Sequence, residues 1–465
     1  MTFQTIPFLF LFLPLFLIGY LICPRKGKLL ILTIGSLLFY AWGEPLYVIL
    51  LMVSVGYCYW AAKKIDQSER PKVRRRILFQ AIAIHVFALL YMKYYGFFLD
   101  TLRSLLHASW TYKTLPMPLG ISFYTFMMLS YLLDVYWGKV KASTNILTFS
   151  AYATFFPKLI MGPIDRYANM VEDLEHPTPN VFSFGEGAER FLKGLAKKVL
   201  LADALGIIWT NVQSGSPSDL SLVTAWIGAL AYTLQIYYDF SGYTDMAIGL
   251  AKMMGIRLME NFQRPYLSTS ITMFWRRWHI SLSSWFRDYI YIPLGGNRVS
   301  KGKHIRNIMI VWMLTGFWHG ANWTFIVWGL YYGVLLILEK YVFGSAMKKL
   351  PVMIQWLITA FLVIISWVIF ASPDVSSALA YLKSMFSMQG NLLVDEQTWW
   401  LLSNNLILLI LGVLFVLPLG ENIARRLKQN YGGAIALNIL YLAMFALSLA
   451  YMMGQTYQTF LYAQF

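Results

Sequence analysis

Apolar residues in this chain neither alternate with polar ones nor mark one face of otherwise polar helices. They run in long blocks, near 5–23, 28–42, 46–62, 77–98, 118–137, 146–164, 222–254, 308–339, 352–371, 401–418 and 434–453. Blocks of this kind approach or exceed the length a helix needs to cross a hydrocarbon layer of ~30 Å. The pattern predicts an all-α, polytopic integral membrane protein with roughly 11 spans plus re-entrant and interfacial helices. The 308–339 block is long enough to enter, bend and return, and Gly316, Gly320 and Gly329 interrupt it. Non-helical backbone at membrane depth is tolerated only where protein or a wet cavity covers it, so the helices should pack around an internal cavity.

Two segments read as lying along the membrane. In 186–203, Phe191, Leu192, Leu195, Val199 and Leu200 fall on one helical face, with Arg190, Lys193, Lys197 and Lys198 on the other. The stretch 271–292 is too polar to span and too aromatic for a plain loop. Basic residues set the orientation. Arg25, Lys26 and Lys28, the run from Lys63 to Arg76, the cluster Arg298 to Arg306, and Arg425, Arg426 and Lys428 mark inner loops. Their parity places both termini on the extracytoplasmic side.

Composition agrees. Of 465 residues, 58% are hydrophobic and only 13% charged, about half of what a soluble surface requires. Aromatics at 17% suit two membrane–water interfaces. The net charge of +16 is spread over short loops, which argues for topology signals and against nucleic acid. Cys23 and Cys58 form no metal or disulfide spacing. The N-terminal apolar block lacks a basic leader and a small-residue cleavage site, and reads as a retained first span. The whole of 1–465 is expected to be one membrane-embedded domain.

Candidate chemistry collects in three places. His319, in LTGFWHGANWTFIVWG, sits inside an apolar block, where an ionisable group is a functional candidate; neutral imidazole is a general base, and Gly316, Gly320 and Ala321 would let a substrate approach. The competing reading is a structural histidine bonded to a carbonyl or a neighbouring helix. His279, in FWRRWHISLSSWFRD, is either a second functional group or a hydrogen-bonding residue among tryptophans. Asp239 and Asp245, in IYYDFSGYTDMAIG, need buried partners, for which Arg276, Arg277 or Arg287 are candidates. These aspartates read as cavity-wall ion pairs or as catalytic groups. Together with Trp275, Trp278, Trp318 and Asn322 they form the set of tunnel or substrate-binding candidates. No HExxH-like spacing supports a metal.

The run DFSGYTDMAIGLAKMMGIRLMENFQRPYLSTSITMFWRRWHISLSSWFRDYIYIPLGGNR, followed by LTGFWHGANWTFIVWG, resembles the membrane-bound O-acyltransferase family. The likeness is strongest to its bacterial branch, the membrane subunits of alginate O-acetyltransferases and of cell-wall glycan acetylation systems. The D-alanyl transfer protein of teichoic acid modification is a more distant relative. The resemblance implies a central tunnel with His319 as the essential histidine in its middle and His279 nearer the cytoplasmic mouth. It also implies an acyl group arriving on a cytoplasmic thioester, acetyl-CoA in this branch, with no bound cofactor. A separate exported serine-type transferase would complete delivery to an extracytoplasmic polysaccharide, from a bacterial inner membrane.

The chain ends FLYAQF, an F-x-Y-x-x-F pattern similar to the terminus of the small peptide partner in the D-alanylation system. Tyr462 is therefore an acyl-carrier candidate: a phenol is far easier to deprotonate than an alkyl alcohol, and its ester keeps much of a thioester's transfer potential. The alternative is an aromatic anchor in the outer interface. Three rival functions stand beside acetyl transfer. They are D-alanyl transfer from a carrier-protein thioester, a proton-coupled transporter or flippase, and a structural scaffold for polysaccharide export.

Overall fold

The computed structural model describes residues 2–113, 116–454 and 460–461. Helices make up the whole of its regular structure among these residues. Six helices combine the length and apolarity to cross a membrane: Tyr47–Gln67, Pro71–Leu105, Trp323–Met347, Val352–Ala371, Glu396–Leu414 and Tyr431–Gly454. Phe8–Ile22 and Ile121–Tyr136 are shorter and also apolar. At most 33% of the most apolar window of each of the six is buried inside the protein, so the rest of each window is at least partly exposed. Leu406, Ile407, Ile410 and Leu414 form one such exposed face, which water would not tolerate and lipid does.

The chain divides into two compact units, Met1–Phe191 with Tyr243–Glu260, and Leu192–Gly242 with Asn261–Phe465. In the first, helices Arg25–Gly43, Tyr47–Gln67 and Pro71–Leu105 carry outward apolar residues such as Leu38, Val53 and Phe87, whereas Ile121–Tyr136 is buried along almost its whole length. The 146–164 block, expected as one crossing, is broken into Ile146–Thr154 and Phe156–Leu159. Pro157 has no N–H to bond back to the previous turn, and Phe155 leaves the helical conformation, with φ −48° and ψ 103°. The amide exposed by the break, Phe156 N–H, donates to Ser36 Oγ at 3.1 Å. The Phe156 ring packs on Phe16 and Phe39 at 5.1 and 5.2 Å. In the same unit, Arg190 forks between Asp245 and Glu260, reaching Asp245 Oδ1 at 2.9 Å and Glu260 Oε2 at 2.5 Å.

The second unit holds the 308–339 block, which enters and returns as expected. Helix Lys301–His319 ends at extended Gly320, and Asn322 caps the next helix, Trp323–Leu338. The two pack with their backbones touching. A Cβ on Gly316 would lie 2.3 Å from the Phe325 carbonyl oxygen, and one on Gly329 would lie 2.4 Å from that of Trp312. Gly316 and Gly320, expected to open space for a substrate, are instead covered by Phe325. Their missing side chains serve the hairpin. Val352–Ala371 packs against the returning helix, where Tyr332 Oη and Ser366 Oγ share a 2.7 Å hydrogen bond.

The 186–203 segment departs from a single amphipathic helix. Helix Val181–Ala196 passes into a wide π-type turn over Lys197–Ala202 before Asp203–Gln213 resumes. Phe191, Leu195 and Val199, expected to face the membrane interface, are buried inside the protein, and Lys198, placed on the polar face by the sequence, is 1% exposed. In an α-helix residues five apart point ~140° apart; the π turn bonds each N–H to the carbonyl five residues back and stacks them. Asp203 N–H bonds to Lys198 O in this way, and the two side chains meet.

Candidate active site

The site in the second unit is assembled by the helix hairpin and by the polar-aromatic stretch that precedes it. That stretch forms two short helices, Ile271–Arg277 and Ile280–Phe286, followed by a π-type turn over Arg287–Tyr291. Glu339, just past the returning helix of the hairpin, accepts from the N–H groups of Ile271 and Thr272 at 2.7 and 3.2 Å. A carboxylate suits these otherwise unbonded first-turn donors and the positive end of the helix. The hairpin thereby fixes the element that carries Trp275, Trp278 and His279.

His279 occupies the joint between the two short helices, with φ +44°, a left-handed conformation costly for a non-glycine residue. Main-chain bonds hold it there: Ile280 N–H to Asn261 O at 3.0 Å and Gln263 N–H to Arg277 O at 3.0 Å. The side chain is fully buried. Its Nδ1 lies 3.1 Å from Asn261 Oδ1, which also accepts from Ser281 N–H at 3.1 Å and Ser281 Oγ–H at 2.9 Å. An oxygen gathering donors makes Nδ1 the protonated nitrogen and Nε2 the basic one. Burial, and then the neighbouring His319, push this imidazole well below its ordinary pKa, so it is held neutral.

His319 is the last residue of its helix and is 2% exposed. Its Nδ1–H donates to the Thr315 carbonyl at 2.7 Å. A carbonyl can only accept, so Nε2 again carries the lone pair. The bond to a carbonyl that a structural histidine would make is present, and it is also the bond that prepares a base. An imidazolium formed here would sit at the negative end of the helix. The ring stands edge-on to Trp318, Trp328 and Phe370 at 4.9, 4.8 and 5.4 Å. Trp318 also lies 6.0 Å from His279, so a single indole connects the two imidazoles.

Other sequence candidates separate. Trp275 packs on Trp312 at 4.5 Å and Tyr332 at 4.8 Å, and Trp278 on Trp367 at 4.8 Å, so both belong to the aromatic wall. The indole N–H groups of Trp275, Trp278 and Trp328 meet no acceptor among the described residues. Asn322 spends both polar atoms on structure, accepting from Thr324 N–H at 3.1 Å and donating to Pro373 O at 2.6 Å. Arg276 is exposed, and Arg287 pairs with Asp288 at 2.8 Å. The expected arginine partners of the aspartates are therefore corrected. Asp239 pairs with Lys198 at 2.7 Å, and Asp245, in the first unit, pairs with Arg190. Tyr462 lies outside the described residues.

Sequence reasoning missed Asn261, Lys198 and Asp203. Asn261 stands 18 positions before His279 with no periodic relation to it. Lys198 reaches Asp239 because Gly242 lies against the backbone of Gly194, where a Cβ would sit 2.8 Å from the Gly194 oxygen. That crossing brings the next turn of each helix together. The AKKVLLAD spacing and the two glycines were the only signals.

The two histidines stand on the helix hairpin and on the aromatic stretch before it, the two motif blocks that carry the family resemblance. Residues 139–380 match the family profile described as membrane-bound O-acyltransferase. The chain belongs to that family. Its O-acyltransferase character is shared with named relatives. It is 42% identical to the "Probable alginate O-acetylase AlgI" of Pseudomonas aeruginosa over 83% of this chain and 75% of that one. It is 35% identical to the peptidoglycan O-acetyltransferase of Helicobacter pylori over 83% of this chain and 80% of that protein. The teichoic acid D-alanyltransferase of Bacillus subtilis is more distant, 33% identical over 47% of this chain and 58% of its own length. This acyltransferase is a membrane protein, and both histidines fall within the matched span.

Proposed function

We propose that this acyltransferase takes acetyl groups from cytoplasmic acetyl-CoA and passes them through a tunnel in the protein toward an extracytoplasmic polysaccharide, an alginate-like exopolysaccharide or a cell-wall glycan. The observation that carries the reading is the tautomer of His319, whose Nδ1–H is committed to the Thr315 carbonyl, making Nε2 a base inside an apolar wall. The relatives' names supply the acetyl group and the glycan. His319 Nε2 accepts the proton of the attacking hydroxyl as its oxygen adds to the thioester carbonyl. The C–S bond breaks, the proton passes to the departing thiolate, and the products are CoA-SH and an acetyl ester. Indole N–H donors of Trp275, Trp278 or Trp328 are suited to the oxyanion, whereas neutral His279, its Nδ1–H committed to Asn261 Oδ1, turns only an acceptor nitrogen to it. Proton transfer supplies about 10²–10⁴-fold, and positioning of both substrates supplies the rest.

The first acceptor in this reading is Tyr462, from which a separate exported serine-type transferase takes the acetyl group. Both termini lie on the outer face of the bacterial inner membrane. Purified protein incubated with acetyl-labelled CoA tests the scheme. CoA-SH should be released and label should appear on the chain at Tyr462. Tyr462→Phe should abolish the label; label retained in that variant contradicts the carrier, and intact thioester with the wild type contradicts the activity.

A further inference from the structure

The cluster Lys198–Asp203–Asp239 holds more negative charge than it balances. Lys198 Nζ donates to Asp203 Oδ1 at 2.6 Å and to Asp239 Oδ1 at 2.7 Å, with side-chain exposures of 2%, 12% and 1%. One ammonium facing two carboxylates in so dry a place leaves acceptor capacity that must be met from elsewhere. The donor comes from the far end of the chain. Leu461 N–H donates to Asp239 Oδ2 at 3.0 Å, across 222 positions of sequence. The Phe460 ring, 1% exposed, lies under Lys198 Nζ at 4.7 Å. A terminal aromatic serving as an interfacial anchor would face headgroups; this ring is inside the protein, against a cation.

The place of this contact relative to the histidines is also defined. Asp239 and Phe240 are consecutive, and Phe240 stands edge-on to His279 at 4.7 Å. The main-chain hydrogen bond at Leu461 thus sits one residue away from a ring that touches His279.

We propose that the Lys198–Asp203–Asp239 cluster is the docking site for Phe460 and Leu461, which open the chain's own F-x-Y-x-x-F pattern. Asp239 reads the main-chain N–H of Leu461 and Lys198 reads the Phe460 ring, and together they register the following residue, Tyr462, for the histidine site. The purpose of the docking rests on Tyr462 being the acyl carrier, whereas the docking itself is measured without any acetyl transfer. Because the contact at 461 is made by backbone, it requires an N–H there and not a leucine.

The test uses the purified full-length chain in two arms. Hydrogen exchange of the terminal peptide reads docking directly. A hydrogen bond to a buried carboxylate should slow the Leu461 amide about tenfold or more relative to unstructured chain. Asp239→Ala and Phe460→Ala should each remove that protection while peptides from Leu222–Met253 keep theirs, which separates undocking from unfolding. In the second arm, Leu461→Pro deletes the N–H and leaves the cluster intact, and Leu461→Ala keeps it. The first should cut acetyl labelling of the chain about tenfold or more and the second should change it less than about twofold. A wild-type Leu461 amide that exchanges like unstructured chain overturns the docking site, whatever the transfer activity. Unchanged labelling in Leu461→Pro overturns its role in registering Tyr462. A protected terminus in a protein whose Tyr462→Phe variant still transfers acetyl upholds the docking site and removes the carrier reading instead.

Discussion

The helix hairpin Lys301–Leu338 and the bent stretch Asn261–Phe286 each bury one histidine and each commit its Nδ1, but by different means. The hairpin holds His319 through the Thr315 main-chain carbonyl, at the end of a regular helix. The bent stretch holds His279 through the Asn261 side chain, at a left-handed joint. A backbone anchor survives replacement of the residue that supplies it; a side-chain anchor does not. The same contrast runs through the two aspartates of helix Leu222–Met253. Asp245 meets an arginine with 28% of its side chain exposed, and Asp239 meets a lysine with 2% exposed. Chemically similar pairs are thus set at very different depths, and the deeper one has far more to lose.

These contrasts can be broken in order of expected effect. His319→Ala should lower acetylation of surface glycan in a producing cell by about 10²–10⁴-fold, the range general-base removal commonly costs, with His279→Ala lowering it less. Equal effects would erase the distinction between the two rings. Lys198→Met should destabilise the protein by about 3–5 kcal/mol, since it strands two buried carboxylates. Arg190→Met, at the shallower fork between Asp245 and Glu260, should cost less, about 1–2 kcal/mol. Thermal unfolding in detergent compares them, and similar losses would contradict the assignment by depth. Asn261→Ala should cut the acetyl-transfer rate about tenfold by letting the His279 ring turn. Thr315→Val, which keeps the carbonyl, should stay within about twofold. A large loss at Thr315 would show that its hydroxyl, now bonded to Val311 O at 2.7 Å, does more than fill space.

The membrane-spanning architecture was legible because lipid enforces it: long apolar blocks with basic loops admit few other readings. The hairpin was legible for the same reason, from a block too long for one crossing. The break at Phe155 was signalled by Pro157 but hidden by the unbroken hydrophobicity around it. His319 could be found because an ionisable group in an apolar run is conspicuous, whereas His279, in a polar-aromatic stretch, stood out only through the motif resemblance. Their anchors could not: Thr315 acts through its backbone, which sequence does not distinguish, and Asn261 acts across a fold-dependent distance. Lys198 was misplaced because its charge, not its angle, assigned it to the polar face: at 3.6 residues per turn it lies only about 20° from Phe191, and the π turn over Lys197–Ala202 then brings Asp203 to it.

The central claim is that His319 is the base of thioester acyl transfer. It is tested most directly by following thiol release from acetyl-CoA under single-turnover conditions, comparing purified wild type with folded His319→Ala. The account predicts prompt release of CoA-SH by the wild type and retention of intact acetyl-CoA by the variant. Release of CoA-SH by the variant at the wild-type rate would contradict it.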